Sequence, residues 1–396
     1  ARMSAISPLK ILNIGLDRAL LEEHGRSESQ ARQVLYAQEI PAEIIHVVKA
    51  PPIDGCKRVV LGEGLVRVIP APVHHWVMFP FAAIRAGARV LREEQVDIIQ
   101  VQEPILCGLV GLWLSRRYRV PLIVGAFTDQ IANPAWASAS LLNRFADLVG
   151  RIVYKQADAI RADSLAVTQR LQASGFPQVS FIPFLITNAE RLVQPAANVA
   201  IVRRTLLGDR KGPLLLAVAR LESEKNMDLM LQAVEEIVKS VNGVVLAVIG
   251  DGSLRKELER RFSAGWIRWL GWLPNTELAA YYQAADLSLL SSDIESSARV
   301  LTESLLAGTP VLTTDTAGAR EVVEDTRSGR IVPTGDLDEF TRVLLELCVN
   351  DRQLDDMGKY GQLMVCAHMS RANIISGLRK LFAQAIRRHQ GEPVAV

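Results

Sequence analysis

Cysteine is scarce in this chain, and that scarcity excludes two fold classes at once. Cys56, Cys107, Cys348 and Cys366 are the only four in 396 residues, and no two stand in a two-residue pair spacing. They read as buried thiols of a reducing compartment, not as a disulfide framework or a zinc site. The six histidines show no metal-ligand spacing either. Charge of one sign is also lacking. The net charge is +2, too little to argue for a nucleic-acid partner. The first 200 residues hold 21 Lys and Arg against 17 Asp and Glu, and the remainder 24 against 26. The first half is thus mildly basic, a weak pull towards an anionic surface or acceptor. No apolar run reaches the roughly 18 residues of a membrane-crossing helix, and nothing at the start has a signal-peptide pattern. The expected location is cytoplasmic. Low-complexity tracts and short repeats are absent as well.

What is present is a large apolar fraction, 49% against 22% charged, enough for extensive packed cores. Apolar strand-like runs alternate with helical runs throughout. Strands are predicted at 10–16, 43–50, 66–72, 96–102, 121–127, 157–163 and 179–184, with helices near 29–40, 77–94 and 106–117 between them. The rhythm breaks over 194–212, which carries Pro195, Gly208 and Gly212. It restarts with strands at 214–220, 244–250, 266–272, 286–292, 310–315 and 329–333. Helices are predicted over 226–240, 253–262, 276–284, about 298–307 and about 371–389. This is the α/β pattern of parallel sheets with helices on both faces. It divides the chain into a first doubly wound domain at 1–195, a second at 212–370, and a final helical segment at 371–396.

In open α/β sheets ligands bind beyond the carboxyl ends of the strands. The run 214–220 ends in Arg220, with Lys225 just before a helix. Two cations beside a helix start suit a diphosphate, and equally suit a surface turn. The run 244–250 leads into Gly250-Asp251-Gly252 and Ser253, either a close ligand approach or an ordinary capped turn. After 286–292 comes Glu295, then Ser296, Ser297, Ala298 and Arg299, then Glu303 about a turn into a helix. Backbone N–H groups of Ser296 to Arg299 suit phosphate oxygens, and the two acids suit hydroxyls at either end of a nucleotide sugar. Glu303 is also placed to pair with Arg299 at i,i+4.

Together these residues resemble the family 4 retaining glycosyltransferases, also called group 1 glycosyltransferases. Their order is Arg220-Leu-Glu-Ser-Glu-Lys225, Gly250-Asp-Gly252, Leu270-Gly271-Trp272, Tyr281 to Asp286, Glu295 with Glu303, Ala307-Gly308-Thr309-Pro310-Val311, Gly318-Ala-Arg-Glu321 and Ser328-Gly329. The resemblance implies a GT-B fold, two Rossmann-like domains facing across a cleft. It implies transfer of a sugar from a UDP- or GDP-linked donor with retained configuration, and no metal or other cofactor, protein cations neutralising the leaving diphosphate. Arg220, Lys225 and Glu295 match the catalytic positions. Gly250, Gly252, Ser296, Ser297, Ala298, Arg299 and Glu303 match the donor-binding ones, Glu303 as the ribose acid. The implied acceptor, on the first domain, is a polysaccharide, glycolipid or small molecule, lipid-linked in many relatives, with peripheral membrane contact. The closing helix is implied to cross back to the first domain.

The chain departs from the family in places. Ser296-Ser297-Ala298 stands where many members have Gly-Phe-Gly. Phe127, followed by Thr128 and Asp129, stands where a cleft histidine is usual; Asp129 remains as a polar candidate there. The first strand-to-helix loop has Gly25 alone instead of a glycine pair. The run 74–85, with Trp76, Met78, Phe79 and Phe81, reads as a buried helix or as a segment dipping into a membrane interface. The alternatives to an active transferase are a catalytically silent GT-B scaffold, which Phe127 favours, and a GT-B enzyme of another reaction.

Overall fold

The computed structural model describes residues 8–22, 27–52, 58–295, 298–323 and 327–392. The chain divides into two compact units, Ala1–Thr187 with Arg371–Val396, and Asn188–Ser370.

The first unit is built on β1 (Leu9–Gly15), β2 (Ala42–Ala50), β3 (Val59–Leu61), β4 (Val66–Pro72), β5 (Ile98–Val101), β6 (Leu122–Ala126), β7 (Ala159–Ala162) and β8 (Val179–Phe181). Their order across the sheet is β3-β4-β2-β1-β5-β6-β7-β8. Only β3 runs antiparallel, as an edge ribbon on β4. The strands are apolar on both faces because both faces are covered. Ile11, Ile44, Ile98 and Ile123 pack with Tyr36 of the helix Glu28–Glu39 and with Ile374 and Leu378 of the helix Arg371–His389. Their strand neighbours Leu12, Ile45, Ile99 and Leu122 point the other way, towards Phe79, Val110 and Tyr154. Those three belong to the helices Phe79–Glu93, Leu106–Tyr118 and Leu141–Gln156.

The helix Arg371–His389 buries Ile374, Ile375, Leu378, Leu381, Phe382 and Ala385, a stripe of helical period. Arg371 lies 3.4 Å from Glu39, and Arg379 donates to the Glu39 carbonyl.

The second unit carries β9 (Leu214–Val218), β10 (Val245–Ile249), β11 (Ile267–Gly271), β12 (Leu287–Leu290), β13 (Val311–Thr314) and β14 (Gly329–Val332). All are parallel, in the order β11-β10-β9-β12-β13-β14. The unit begins at Asn188, ahead of the 194–212 stretch whose Pro and Gly content suggests a boundary. Packing explains the difference. That stretch contains the helix Val199–Leu207, whose Val202, Leu206 and Leu207 are buried against the helix Leu278–Ala284. Arg203 adds a bidentate pair to Asp286 at 2.9 Å.

In each sheet the winding reverses once, between β1 and β5 and between β9 and β12. Side chains just beyond those strand ends occupy the crevice that a reversal opens.

Candidate functional site

The loops after β9 and β12 meet at the second reversal. The β9 loop closes in a short turn, Ser223–Lys225, and Asn226 (φ 41°) opens the helix Met227–Ile237. Asn226 tolerates that left-handed backbone better than most residues. Its amide donates to Asp293 at 2.9 Å, and Asp293 N–H donates to the Glu224 carbonyl at 2.9 Å. Ser291 Oγ donates to the carbonyls of Lys225 (3.0 Å) and Asn226 (2.8 Å). The two loops are therefore stitched together before any ligand arrives.

That stitching brings Lys225 and Glu295 into an ion pair, with side chains 13% and 16% exposed. Gly318 N–H holds the Glu295 carbonyl at 2.9 Å. Arg220 is not part of this pair. Its side chain is 70% exposed and reaches Glu224 at 2.7 Å. The two cations are thus differently held, one clamped between loops and one out on the surface.

Glu303 lies on the helix Arg299–Leu306 and is 3% exposed. Tyr282 Oη donates to it at 3.0 Å, and Arg299 Nη2 lies 3.6 Å away. Burial, with the Glu303 charge beside it, pushes the Tyr282 hydroxyl well up, so it stays a donor. Ala298, 2% exposed, caps the start of that helix. Ser296 and Ser297 lie outside the described residues, as does Gly25.

Gly250 and Gly252 have a clear local cause. A Cβ on Gly250 (φ 143°) would lie 1.9 Å from the Ala219 carbonyl oxygen, and one on Gly252 2.4 Å from that of Leu221. The β9 and β10 loops run backbone against backbone, with Leu221 N–H on the Asp251 carbonyl at 3.0 Å. The glycines are required by the neighbouring loop, whatever else approaches them. Glu222, which sequence patterning passes over, joins the same loops by accepting from Ser253 N (3.0 Å) and Oγ (2.6 Å). Those hydrogen bonds hold its carboxyl below the usual range.

In the first unit, Phe127 is half-buried and stacks on Phe184 at 4.7 Å. Asp129, two residues on, is ion-paired with Arg170. The reading of 74–85 as a buried helix holds for Phe79 and Ala83; Trp76, Met78 and Phe81 are 52%, 52% and 68% exposed.

Cations, buried carboxylates and a helix start at a parallel-sheet reversal make a place for an anionic, hydroxyl-rich ligand. The "Glycosyl transferases group 1" family matches residues 200–364, and the "Glycosyl transferase 4-like domain" matches residues 27–184. A GDP-mannose-dependent α-mannosyltransferase of Mycobacterium tuberculosis is 28% identical over 67% of this chain and 68% of its own length. An α-monoglucosyldiacylglycerol synthase of Streptococcus pneumoniae is 24% identical over 64% of this chain and 59% of its own. Among solved structures, sucrose-phosphate synthase of Thermosynechococcus elongatus superposes with a TM-score of 0.80 at 17% identity, covering 96% of this chain and 100% of that one. Anabaena HepE, crystallised with UDP, gives 0.72 at 17% identity, covering 95% and 100%. With two glycosyltransferase families matched in succession and the GT-B fold shared along its length, the chain belongs to the group 1 glycosyltransferases.

Proposed function

We propose that this protein transfers a sugar, with retention of configuration and without a metal, from a UDP- or GDP-linked donor to a lipid-linked acceptor. The observation that carries the reading is the Lys225–Glu295 pair at the β9–β12 reversal. Breaking the bond between sugar and diphosphate leaves two phosphates' charge behind. Lys225, joined by the exposed Arg220, would neutralise that charge, and preorganised groups of this kind are the largest single contribution in many enzymes. Glu295, released from Lys225 by the incoming phosphate, would accept hydroxyls of the transferred sugar. Glu303 would accept the ribose hydroxyls, and the backbone at the start of the helix Arg299–Leu306 would meet phosphate oxygens. Relatives named for GDP-mannose and the UDP complex of HepE support the donor class.

The test is release of nucleoside diphosphate from a panel of nucleotide sugars, without acceptor, with and without EDTA. Slow release from one donor, unchanged by EDTA, is the expected result. Release that EDTA abolishes would overturn the metal-free step. Failure of every donor to bind would favour the silent scaffold that Phe127 suggests.

The lipid-linked acceptor rests on a second surface. The helices Phe79–Glu93, Leu106–Tyr118 and Leu141–Gln156 cover one face of the first sheet. Leu141, Leu142, Phe145 and Leu148 are 80%, 74%, 64% and 55% exposed, and Trp113 and Phe81 are 47% and 68%. Exposed Arg85, Arg116, Arg117 and Arg144 accompany them. Apolar side chains flanked by arginines suit an anionic membrane surface. No helix among the described residues is long and apolar enough to cross a membrane, so contact would be peripheral. Co-sedimentation should show binding to vesicles containing phosphatidylglycerol, cut about tenfold or more in Leu142→Asp/Phe145→Asp. Unchanged binding of that variant would remove this face from the account.

A further inference from the structure

Arg161 stands in β7 among Ala159, Ile160 and Ala162, and is itself 3% exposed. Its Nε donates to the Ile182 carbonyl at 3.2 Å, and its Nη2 to the Pro183 carbonyl (3.1 Å) and Tyr36 Oη (3.2 Å). The rings of Phe184, Phe127 and Tyr36 lie 5.1, 5.6 and 5.6 Å from Cζ. Among the described residues no carboxylate pairs with it and nothing accepts from Nη1. Arg32, also buried, differs, since Glu28 lies 3.7 Å from it. A buried cation is ordinarily matched by an anion, and carbonyls and aromatic faces match Arg161 only in part.

This cation lines a cavity of about 90 Å³ at the first reversal, between the ends of β1 and β5. Asn13, Gln33, His46 and Gln100 line it too, with Phe127 and Phe184 as an apolar wall. His46 is 5% exposed, and its Nε2 has no hydrogen-bond partner among the described residues. Burial pushes that imidazole down to about 3, so the ring is neutral. The amides of Asn13, Gln33 and Gln100 bond to no described residue. The one carboxylate on the wall, Asp17, accepts from Ala19 N–H at 3.1 Å. Buried polar groups are nearly always satisfied, by protein, water or ligand. Here Arg161 Nη1, the buried His46 Nε2 and three half-buried amides share one space, beside the Glu28-paired Arg32, with hydrogen-bonding capacity left over.

We propose that this cavity binds the acceptor through a hydroxylated, negatively charged ring, with Arg161 Nη1 taking the oxyanion and the amides of Asn13, Gln33 and Gln100 taking hydroxyls. A guanidinium suits phosphate and carboxylate alike, so the shared chemistry is an oxyanion carried on a polyol. The word acceptor rests on the transferase reading; the anion site does not.

The experiment is calorimetric titration of the full chain, without nucleotide, with glucose, glucose 6-phosphate and glucuronate. One or both anionic sugars should bind at least tenfold tighter than glucose, and which one does so separates phosphate from carboxylate. Arg161→Gln should erase that preference. Because Arg161 also ties β7 to Tyr36, Gln100→Glu is the second variant. It leaves every Arg161 bond in place and should weaken the same ligand at least tenfold by repulsion. UDP binding should be unchanged in both. Equal binding of glucose and the anions, no binding of any, or an unaltered preference in Gln100→Glu would overturn the proposal. If donor hydrolysis fails while the anion preference stands, only the transferase reading falls; the opposite pattern removes this site alone.

Discussion

Lys225→Ala is expected to lower turnover about a hundredfold or more while the protein still melts cooperatively. The magnitude follows from the charge that the leaving diphosphate develops. Removing one preorganised stabilising group costs about 3 kcal/mol at the transition state, and about 1.4 kcal/mol is tenfold in rate. Lys225 is held in place by the Ser291 hydroxyl on its carbonyl and by Glu295 on its ammonium. Arg220→Ala should also slow turnover, with little effect on melting, because its pair with Glu224 is exposed and such pairs contribute about 0–1 kcal/mol. A purely structural ion pair makes a different forecast. In that case Lys225→Ala harms by stranding Glu295, and Lys225→Ala/Glu295→Ala recovers what the single variant lost. The site reading expects no recovery, since both groups act on the donor. Steady-state turnover of the single and double variants, beside their thermal melts, decides between them. Turnover within about threefold of the parent in both Lys225→Ala and Arg220→Ala would end the assignment.

The parallel strands of both sheets are legible because buried parallel strands are short, nearly unbroken apolar runs; the antiparallel edge strand β3, three residues long, is missed. Leu214–Val218 and Val245–Ile249 could hardly be anything else. The boundary is harder to read. Pro195 and Gly208 look like linker punctuation, yet Gly208 simply ends a helix whose buried Val202 and Leu206 belong to the second unit. The helix Leu141–Gln156 defeats patterning for another reason. Its apolar stripe of Leu141, Phe145 and Leu148 faces outward, and patterning assigns such stripes to a core. The candidate site divides along the same line. Residue types and order point to Arg220, Lys225, Glu295 and Glu303. Which cation meets which acid is a tertiary fact, set by Asn226 and Asp293 joining two loops. Arg161 carries almost no signal, being one basic residue in a buried strand, and its meaning appears only with the cavity around it.

Glu303→Gln is expected to weaken nucleoside diphosphate binding by about 2 kcal/mol, roughly thirtyfold in Kd, with the fold retained. The variant is chosen for what it preserves. The amide oxygen of the introduced glutamine can still accept from Tyr282 Oη, which reaches the native carboxylate at 3.0 Å, so no buried hydroxyl is orphaned. Glu303→Ala would orphan it, at about 1–3 kcal/mol of stability. What glutamine removes is the charge that would strengthen hydrogen bonds from two ribose hydroxyls under the proposed role. A structural role offers the rival account, in which Glu303 merely neutralises Arg299 across 3.6 Å. The two separate when UDP is compared with its 2′-deoxy analogue by calorimetry. If Glu303 holds the ribose, the parent prefers UDP and the variant loses most of that preference, because the lost energy lay in the hydroxyl contacts. If Glu303 only balances Arg299, both ligands weaken equally and the preference stays, and the ribose assignment falls with it.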